Sequence, residues 1–215
     1  ISGYSGEMNS KPKGLLTGAT GFLGQALCHR LASELELHPV GCRSCPAGGR
    51  QVDLTAAGEV ERLVQELQPD VVLHAAAIRE PDRCEEFPEE ARLLNTEVPA
   101  RFVRSLPPSS QLIHISTDYV FDGRHPPYRE EDAVAPVNEY GRTKVEAETH
   151  VLSHPRGTVL RIPVLVGEGP GFIEQMVAAL RSGAPEEVED VLVRHPTRTV
   201  EVAGVKATMV QATHS

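Results

Sequence analysis

An α/β domain built on a doubly wound parallel sheet is the fold the sequence predicts. Three observations lead to it. Short aliphatic runs alternate with helical periodicity, the apolar content is aliphatic rather than aromatic, and the first run ends in a spaced glycine loop. Hydrophobic residues make up 40% of the 215 and aromatics 4%, with no tryptophan, as suits strands buried between helices. Basic side chains number 21 against 30 acidic, a net charge of −9. That argues against a protein that tracks nucleic-acid phosphates or lays a polybasic patch on a membrane. No apolar run nears the roughly 20 residues a membrane span needs, and the opening residues carry no signal-peptide pattern. Four cysteines are too few for a disulfide scaffold of this size, so a reducing, cytoplasmic setting is expected.

Residues 1–13 are small, polar and aperiodic and read as a flexible N-terminal segment. Gly14 to Thr17 then forms an apolar strand, and Phe22 to Leu35 a helix with Leu23, Leu27 and Leu31 spaced four apart on one face. His38 to Cys42 reads as the second strand and Ala56 to Leu67 as a helix, burying Val60, Leu63, Val64 and Leu67. Asp70 to Ala77 is a buried strand, Pro88 to Leu106 holds a helix, and Gln111 to Ser116 is the next strand. A helix over Asn138 to Leu152, a strand over Thr158 to Val166 and a helix over Phe172 to Arg181 complete the alternation. Such alternation is how βαβ units on a parallel sheet look in sequence.

Between the first strand and the first helix lies Gly18-x-x-Gly21-x-x-Gly24. In a Rossmann-type sheet the first glycine makes the tight turn, the second lets backbone approach a pyrophosphate, and the third lets the helix pack close to the sheet. The helix start adds unpaired N–H groups and partial positive charge. Turns recruit glycine anyway, but the strand before and helix after supply the context a dinucleotide loop requires. The second strand ends in Gly41-Cys42-Arg43-Ser44 with no carboxylate nearby. An acidic residue there would accept from a ribose hydroxyl, whereas an arginine pairs with a 2′-phosphate, so Arg43 favours NADP over NAD. An ordinary exposed loop arginine is the alternative.

Tyr140 and Lys144 stand four residues apart, one turn along a helical face. A phenol with a pKa near 10 is a poor acid–base group at neutral pH unless a neighbouring cation stabilises the phenolate. Lys144 can supply that charge and hold a nicotinamide ribose. Ile113-His114-Ile115 runs into Ser116-Thr117 at the carboxyl end of a strand, where ligand crevices open. A hydroxyl there can bond a substrate carbonyl and steer proton donation by Tyr140.

These strings, with His74-Ala75-Ala76-Ala77 and Ser116-Thr117-Asp118-Tyr119-Val120-Phe121-Asp122-Gly123, resemble the extended short-chain dehydrogenase/reductases, and within them the dTDP-4-dehydrorhamnose reductase group. The resemblance spans about Gly14 to Gly167. It implies hydride transfer to a ketone of a nucleotide-sugar-like substrate, with Thr117 as the hydroxyl of a Thr117–Tyr140–Lys144 triad and Ser116 second to it. It further implies cofactor contacts at Thr17, Gly18, Thr20, Gly21, Phe22, Leu23, Gly24, Arg43, Ala75, Ala76, Ala77, Asn95, Tyr140, Lys144 and Arg161, with Asp53 and Leu54 at the adenine edge. A helix-start Asp is the plainer reading of Asp53, and a plain helix Asn of Asn95. Ser116, Asp118 and Tyr119 match positions that face the substrate, where capping and wall packing are their plainer roles.

Ala77 to Asp82, Pro126 to Asp132, Leu160 to Leu165 and His195 to Thr197 are similar to a second family within that group, the regulatory beta subunits of methionine adenosyltransferase. This implies a non-catalytic NADP-binding subunit docked on a methionine adenosyltransferase catalytic subunit. Sugar-nucleotide reductases of the group usually carry a tryptophan where this chain has Val164, which weakens dTDP-4-dehydrorhamnose as the substrate. Cys42-x-x-Cys45 lacks a second ligand pair, so no metal is expected, and Cys28 and Cys84 read as packing or surface thiols. His74 reads as a neutral strand-end residue, and Glu85, Glu86, Glu89 and Glu90 as a solvated helix start. The domain division expected is a cofactor domain over 14–167 and an incomplete C-terminal substrate lobe over 168–215, since 48 residues follow Gly167 where that lobe normally runs longer.

Overall fold

The structure, a computed structural model, describes residues 11–44, 48–163, 193–202 and 205–213, the last two stretches as backbone. Six parallel strands form one sheet: β1 (Lys13–Thr17), β2 (Glu36–Gly41), β3 (Arg50–Gln51), β4 (Val71–His74), β5 (Gln111–Thr117) and β6 (Gly157–Ile162), in the order β3-β2-β1-β4-β5-β6. The helices are α1 (Phe22–Leu31), α2 (Glu59–Leu67), α3 (Pro81–Glu86), α4 (Pro88–Arg92), α5 (Val98–Ser105) and α6 (Glu139–Leu152). Adjacent residues of a strand point to opposite faces, and the core divides accordingly. Leu16 and Leu73 pack with Leu23 and Leu27 of α1 on one face. Leu15, Val40, Val72 and Leu112 pack on the other with Val60, Leu63, Val64 and Leu67 of α2, Val98 and Phe102 of α5 and Val151 of α6. The expected doubly wound Rossmann-type sheet is the observed one.

The boundaries differ from the periodicity where local chemistry intervenes. α2 starts at Glu59 rather than Ala56 because Gly58 precedes it at φ 80°, a left-handed value no helix interior adopts. β2 runs from Glu36 through Pro39, a strand position tolerated because Pro39 has a partner only on the β1 side, Leu16, whereas β3 pairs with Val40 and Gly41. The single helix expected over Pro88 to Leu106 is three pieces: α4, a π-helical turn at Leu93–Glu97, and α5. Pro99 lacks the N–H that would continue the α ladder there. β4 stops at His74 rather than Ala77, so Ala75–Ala77 leave the sheet as irregular chain.

The sequence gives no sign of β3 or α3, each too short for periodicity, nor of the antiparallel pair β7 (Val193–Val202) and β8 (Val205–Thr213). β6 is described to Ile162, and the helix expected over Phe172 to Arg181 lies outside the described residues, as do residues 1–10 and Val164.

Phe102, fully enclosed against the α2–α5 side of the sheet, sets a stability test. Phe102→Ala lowers unfolding free energy by about 3–5 kcal/mol in urea denaturation, while Leu152→Ala, at a residue 61% exposed, stays within about 0.5 kcal/mol.

Candidate active site

Strand order reverses between β1 and β4, the place where ligand crevices open beyond the carboxyl ends of a doubly wound sheet. The turn after β1 and the chain leaving β4 meet there. Gly18 has φ 70°, and a Cβ on it would stand 2.7 Å from the Ala75 carbonyl carbon and 2.8 Å from the Ala76 nitrogen. A Cβ on Gly24 would collide with the Gly18 carbonyl oxygen, so α1 starts in direct contact with the turn. Gly21 is the residue before α1 and supplies no side-chain cap, and the first turn of α1 carries no acidic residue. A glycine cradle closed by backbone, under a helix start with uncapped donors, fits a bound pyrophosphate. Thr20, Phe22 and Leu23 sit in this turn and first helical turn as the motif requires, with Leu23 serving the core.

Several residues expected at the ligand site also make contacts within the protein. Thr17 is fully buried; its hydroxyl pairs with His74 Nδ1 at 2.8 Å and accepts from Ala76 N–H at 3.3 Å. Asn95 is fully buried in the π-helical turn. Its side chain accepts from Ile78 N–H at 2.8 Å and donates to the Ile78 carbonyl at 2.9 Å and Thr143 Oγ1 at 3.2 Å. Asn95 thus clamps the chain after β4. Leu54 is a core side chain, and Asp53 accepts from the N–H and hydroxyl of Thr55 in an exposed turn. Arg43 is exposed just beyond β2 and makes no ion pair or hydrogen bond among the described residues. Cys45 lies outside the described residues, whereas Cys42 is exposed.

Alternation along β5 separates its two hydroxyls. Ser116 turns inward and donates to Glu148 Oε1 at 2.6 Å, and Glu148 receives Arg161 in a bidentate pair at 2.7–3.2 Å. Arg161 also donates to the Glu130 carbonyl and lies over the Phe121 ring. Both Ser116 and Arg161 thus brace β5, α6 and β6 against one another. Thr117 points the other way: its hydroxyl donates to Asp118 Oδ1 at 3.2 Å and caps the short turn Asp118–Val120 by accepting from Tyr119 N–H, on the side facing the Tyr140 phenol. Asn138 caps α6 by accepting from Gly141 N–H at 2.8 Å, and Glu85 of α3 accepts from Glu139 N–H at 2.7 Å. Glu85 therefore docks α3 on α6 rather than sitting in a free acidic face. A Cβ on Gly141 would strike the Tyr119 carbonyl oxygen, so glycine brings the start of α6 against the turn after β5. The Tyr119 ring meets Tyr140 edge-on at 5.6 Å. Burial pushes the Tyr140 phenol up, the bond to Thr117 opposes that rise, and the Asp118 carboxylate adds to it.

Lys144 reaches into the core from α6. It is 1% exposed, and its Nζ donates to the Ile115 carbonyl at 2.6 Å and meets His114 Nε2 at 2.8 Å. Among the described residues no hydrogen bond joins it to Tyr140. Burial brings its pKa down to about 7, against the pull of Glu148. The i, i+4 spacing puts Tyr140 and Lys144 on one face, but the four-carbon stem reaches the core side of that face. Sequence reasoning missed Glu148, although it continues the same spacing at i+8 from Tyr140, and missed the role of His114. Among the described residues no cluster of His, Cys, Asp or Glu could hold a metal, and no helix is long and apolar enough to cross a membrane.

The family model described as the RmlD substrate binding domain matches residues 13–215. A methionine adenosyltransferase 2 subunit beta from Pongo abelii is 39% identical over 200 residues, 89% of this chain and 60% of that protein. Among solved structures, a hypothetical dTDP-4-dehydrorhamnose reductase from Sulfolobus tokodaii is 35% identical with a TM-score of 0.73, covering 80% of this chain and 62% of that one. A dTDP-4-dehydrorhamnose reductase from Bacillus anthracis in complex with NADP is 28% identical with a TM-score of 0.70, covering 80% and 60%. The chain thus spans about 60% of the length of these relatives.

Burial holds the His74 pKa down to about 3 and that of His114 well below its usual value, with Lys144 adding to both shifts. Unfolding frees these rings to take up protons, so their contribution to folding stability is fully present above about pH 6.5 and is lost as pH falls from there toward the folded-state values. The urea midpoint is lower at pH 5 than at pH 7, and ring ¹⁵N spectra show both imidazoles still neutral in the folded protein at pH 5.

Proposed function

The chain belongs to the RmlD substrate-binding domain family, and on that footing we propose that it is an NADP(H)-dependent reductase of the dTDP-4-dehydrorhamnose reductase type. It acts on a ketone of a nucleotide-sugar-like substrate. The observation that carries this reading is the placement of Thr117, at the carboxyl end of β5, beside the start of α6 that bears Tyr140, at the sheet edge where the glycine cradle also lies.

Gly18, Gly21 and Gly24 with the α1 start hold the pyrophosphate, Ala75–Ala77 line the chain leaving β4, and Arg43 takes the 2′-phosphate. A nicotinamide bound there supplies hydride to the substrate carbon. Tyr140 donates its phenolic proton to the substrate oxygen, and its raised pKa keeps that proton in place beforehand. Thr117 orients the substrate oxygen and steadies the phenolate left behind, with Lys144 one helical turn along adding positive charge. Asp118 and Tyr119 form the wall the substrate meets, and residues 168–215 contribute the substrate lobe. Four cysteines with no scaffold spacing favour a cytoplasmic site of action.

A second reading rests on the 39% identity to a methionine adenosyltransferase subunit beta and on the engagement of Lys144 within the core. In it the chain binds NADP without turnover and docks on a methionine adenosyltransferase catalytic subunit.

NADPH oxidation with a panel of nucleotide 4-ketosugars separates the two. The reductase reading expects turnover, lowered about 10²–10⁴-fold in Tyr140→Phe with NADPH affinity retained. Tight NADPH binding without turnover, together with co-elution of a methionine adenosyltransferase catalytic subunit, establishes the second reading instead. Titration of NADP against NAD checks the cofactor: Arg43→Ala weakens NADP about 10- to 100-fold and leaves NAD unchanged. Equal binding of both by the unaltered protein overturns the NADP assignment.

A further inference from the structure

We propose that His114 is a positioning residue for Lys144, fixing where the lysine amine sits beneath the carboxyl end of β5. A lysine ammonium carries three protons and accepts none. In its enclosed position Lys144 Nζ meets two acceptors, the Ile115 carbonyl at 2.6 Å and His114 Nε2 at 2.8 Å. For Nε2 to accept, the His114 proton must sit on Nδ1, and Nδ1 is buried with no partner. The core therefore tolerates an unpaired donor where an aliphatic side chain would leave none. A pair kept at that cost is placed for something other than stability.

His114 is itself held from behind. Its ring stacks on His74 at 5.4 Å and 21°, across the directly paired positions of β4 and β5. His74 is backed by Phe102 at 5.4 Å and tied by Nδ1 to Thr17 on β1. A continuous buried line thus runs from Thr17, one residue before the glycine cradle, through His74 and His114 to Lys144 on the helix that carries Tyr140. The groups acting on Lys144 are Glu148 of its own helix, already shared between Ser116 of β5 and Arg161 of β6, and the two neutral imidazoles from β4 and β5. The consequence for ligand binding rests on the cofactor reading above; the placement of Lys144 does not.

The test uses the full chain without ligand first. At pH 6, ring ¹⁵N shifts show His114 with its proton on Nδ1; a proton on Nε2 at that pH overturns the proposal. The side-chain titration of Lys144, assigned with Lys144→Arg, is then followed in the unaltered protein, His114→Leu and His114→Gln. Losing the acceptor destabilises the charged amine, so His114→Leu lowers the Lys144 midpoint by about one to two pH units, and His114→Gln restores most of it. An unchanged midpoint in His114→Leu, or a loss of thermal stability with no change in titration, overturns it. Should His114→Leu not fold, the tautomer and the His114→Gln titration decide alone. NADPH fluorescence titration then weakens about tenfold in His114→Leu and recovers in His114→Gln. Failure of the unaltered protein to bind NADPH overturns the cofactor reading, and the lysine titration still decides the role of His114.

Discussion

Everything at the carboxyl edge of the sheet depends on how closely the turn after β1 approaches the chain leaving β4. Gly18 lies against the Ala75–Ala76 backbone with no room for a Cβ, and Gly24 brings α1 onto the same turn. If either contact were propped open by a methyl group, the start of α1 would move away from the point where the strand order reverses. Thr17, whose hydroxyl joins His74 and Ala76 N–H, locks the same two strands from inside. The cradle and the lock are consecutive residues of one chain segment, so the shape of the crevice follows from close packing rather than from loop flexibility.

A second set of constraints sets the far wall. Gly141 brings α6 against the carbonyl of Tyr119, and Asn138 with Glu85 fixes where the helix begins. From that start, Tyr140, Lys144 and Glu148 follow at four-residue intervals, and each meets β5 differently: at Thr117, at the Ile115 carbonyl with His114, and at Ser116. The strand and the helix are thus joined at three levels. The outermost holds Thr117 and Tyr140, the middle one a buried lysine, and the innermost Glu148 with its half-buried partner Arg161. The Glu148–Arg161 pair, buried at Glu148 and 23% exposed at Arg161, ties α6 to β6 by a bidentate contact rather than adding much net stability.

Much of this was legible in the sequence, and what was legible shares one property. The glycine loop, the Tyr140–Lys144 spacing and the aliphatic strands are local patterns in which chemistry or periodicity demands particular residue types at fixed offsets. What escaped depends on contacts between distant segments. Ser116 and Thr117 are adjacent hydroxyls that residue type alone does not rank, and only the family resemblance puts Thr117 first; strand alternation sends one to Glu148 and the other toward Tyr140, and the choice of face is made by packing. That Arg161 pairs with Glu148, 13 residues earlier, is likewise invisible in the sequence. The pairing of His74 with His114 required knowing that β4 and β5 are neighbours in register. The break of the long helix at the π-helical turn follows from Pro99, but the use made of it, aiming Asn95 at Ile78, is a tertiary matter.

The central claim is that the crevice between β1 and β4 is a dinucleotide site. Amide hydrogen exchange of the full chain with and without NADPH tests it most directly. The expected result is slowed exchange confined to the Gly18–Gly24 turn, the Ala75–Ile78 segment and the start of α6. Binding without protection of the Gly18–Gly24 amides, or protection centred elsewhere in the chain, would contradict it.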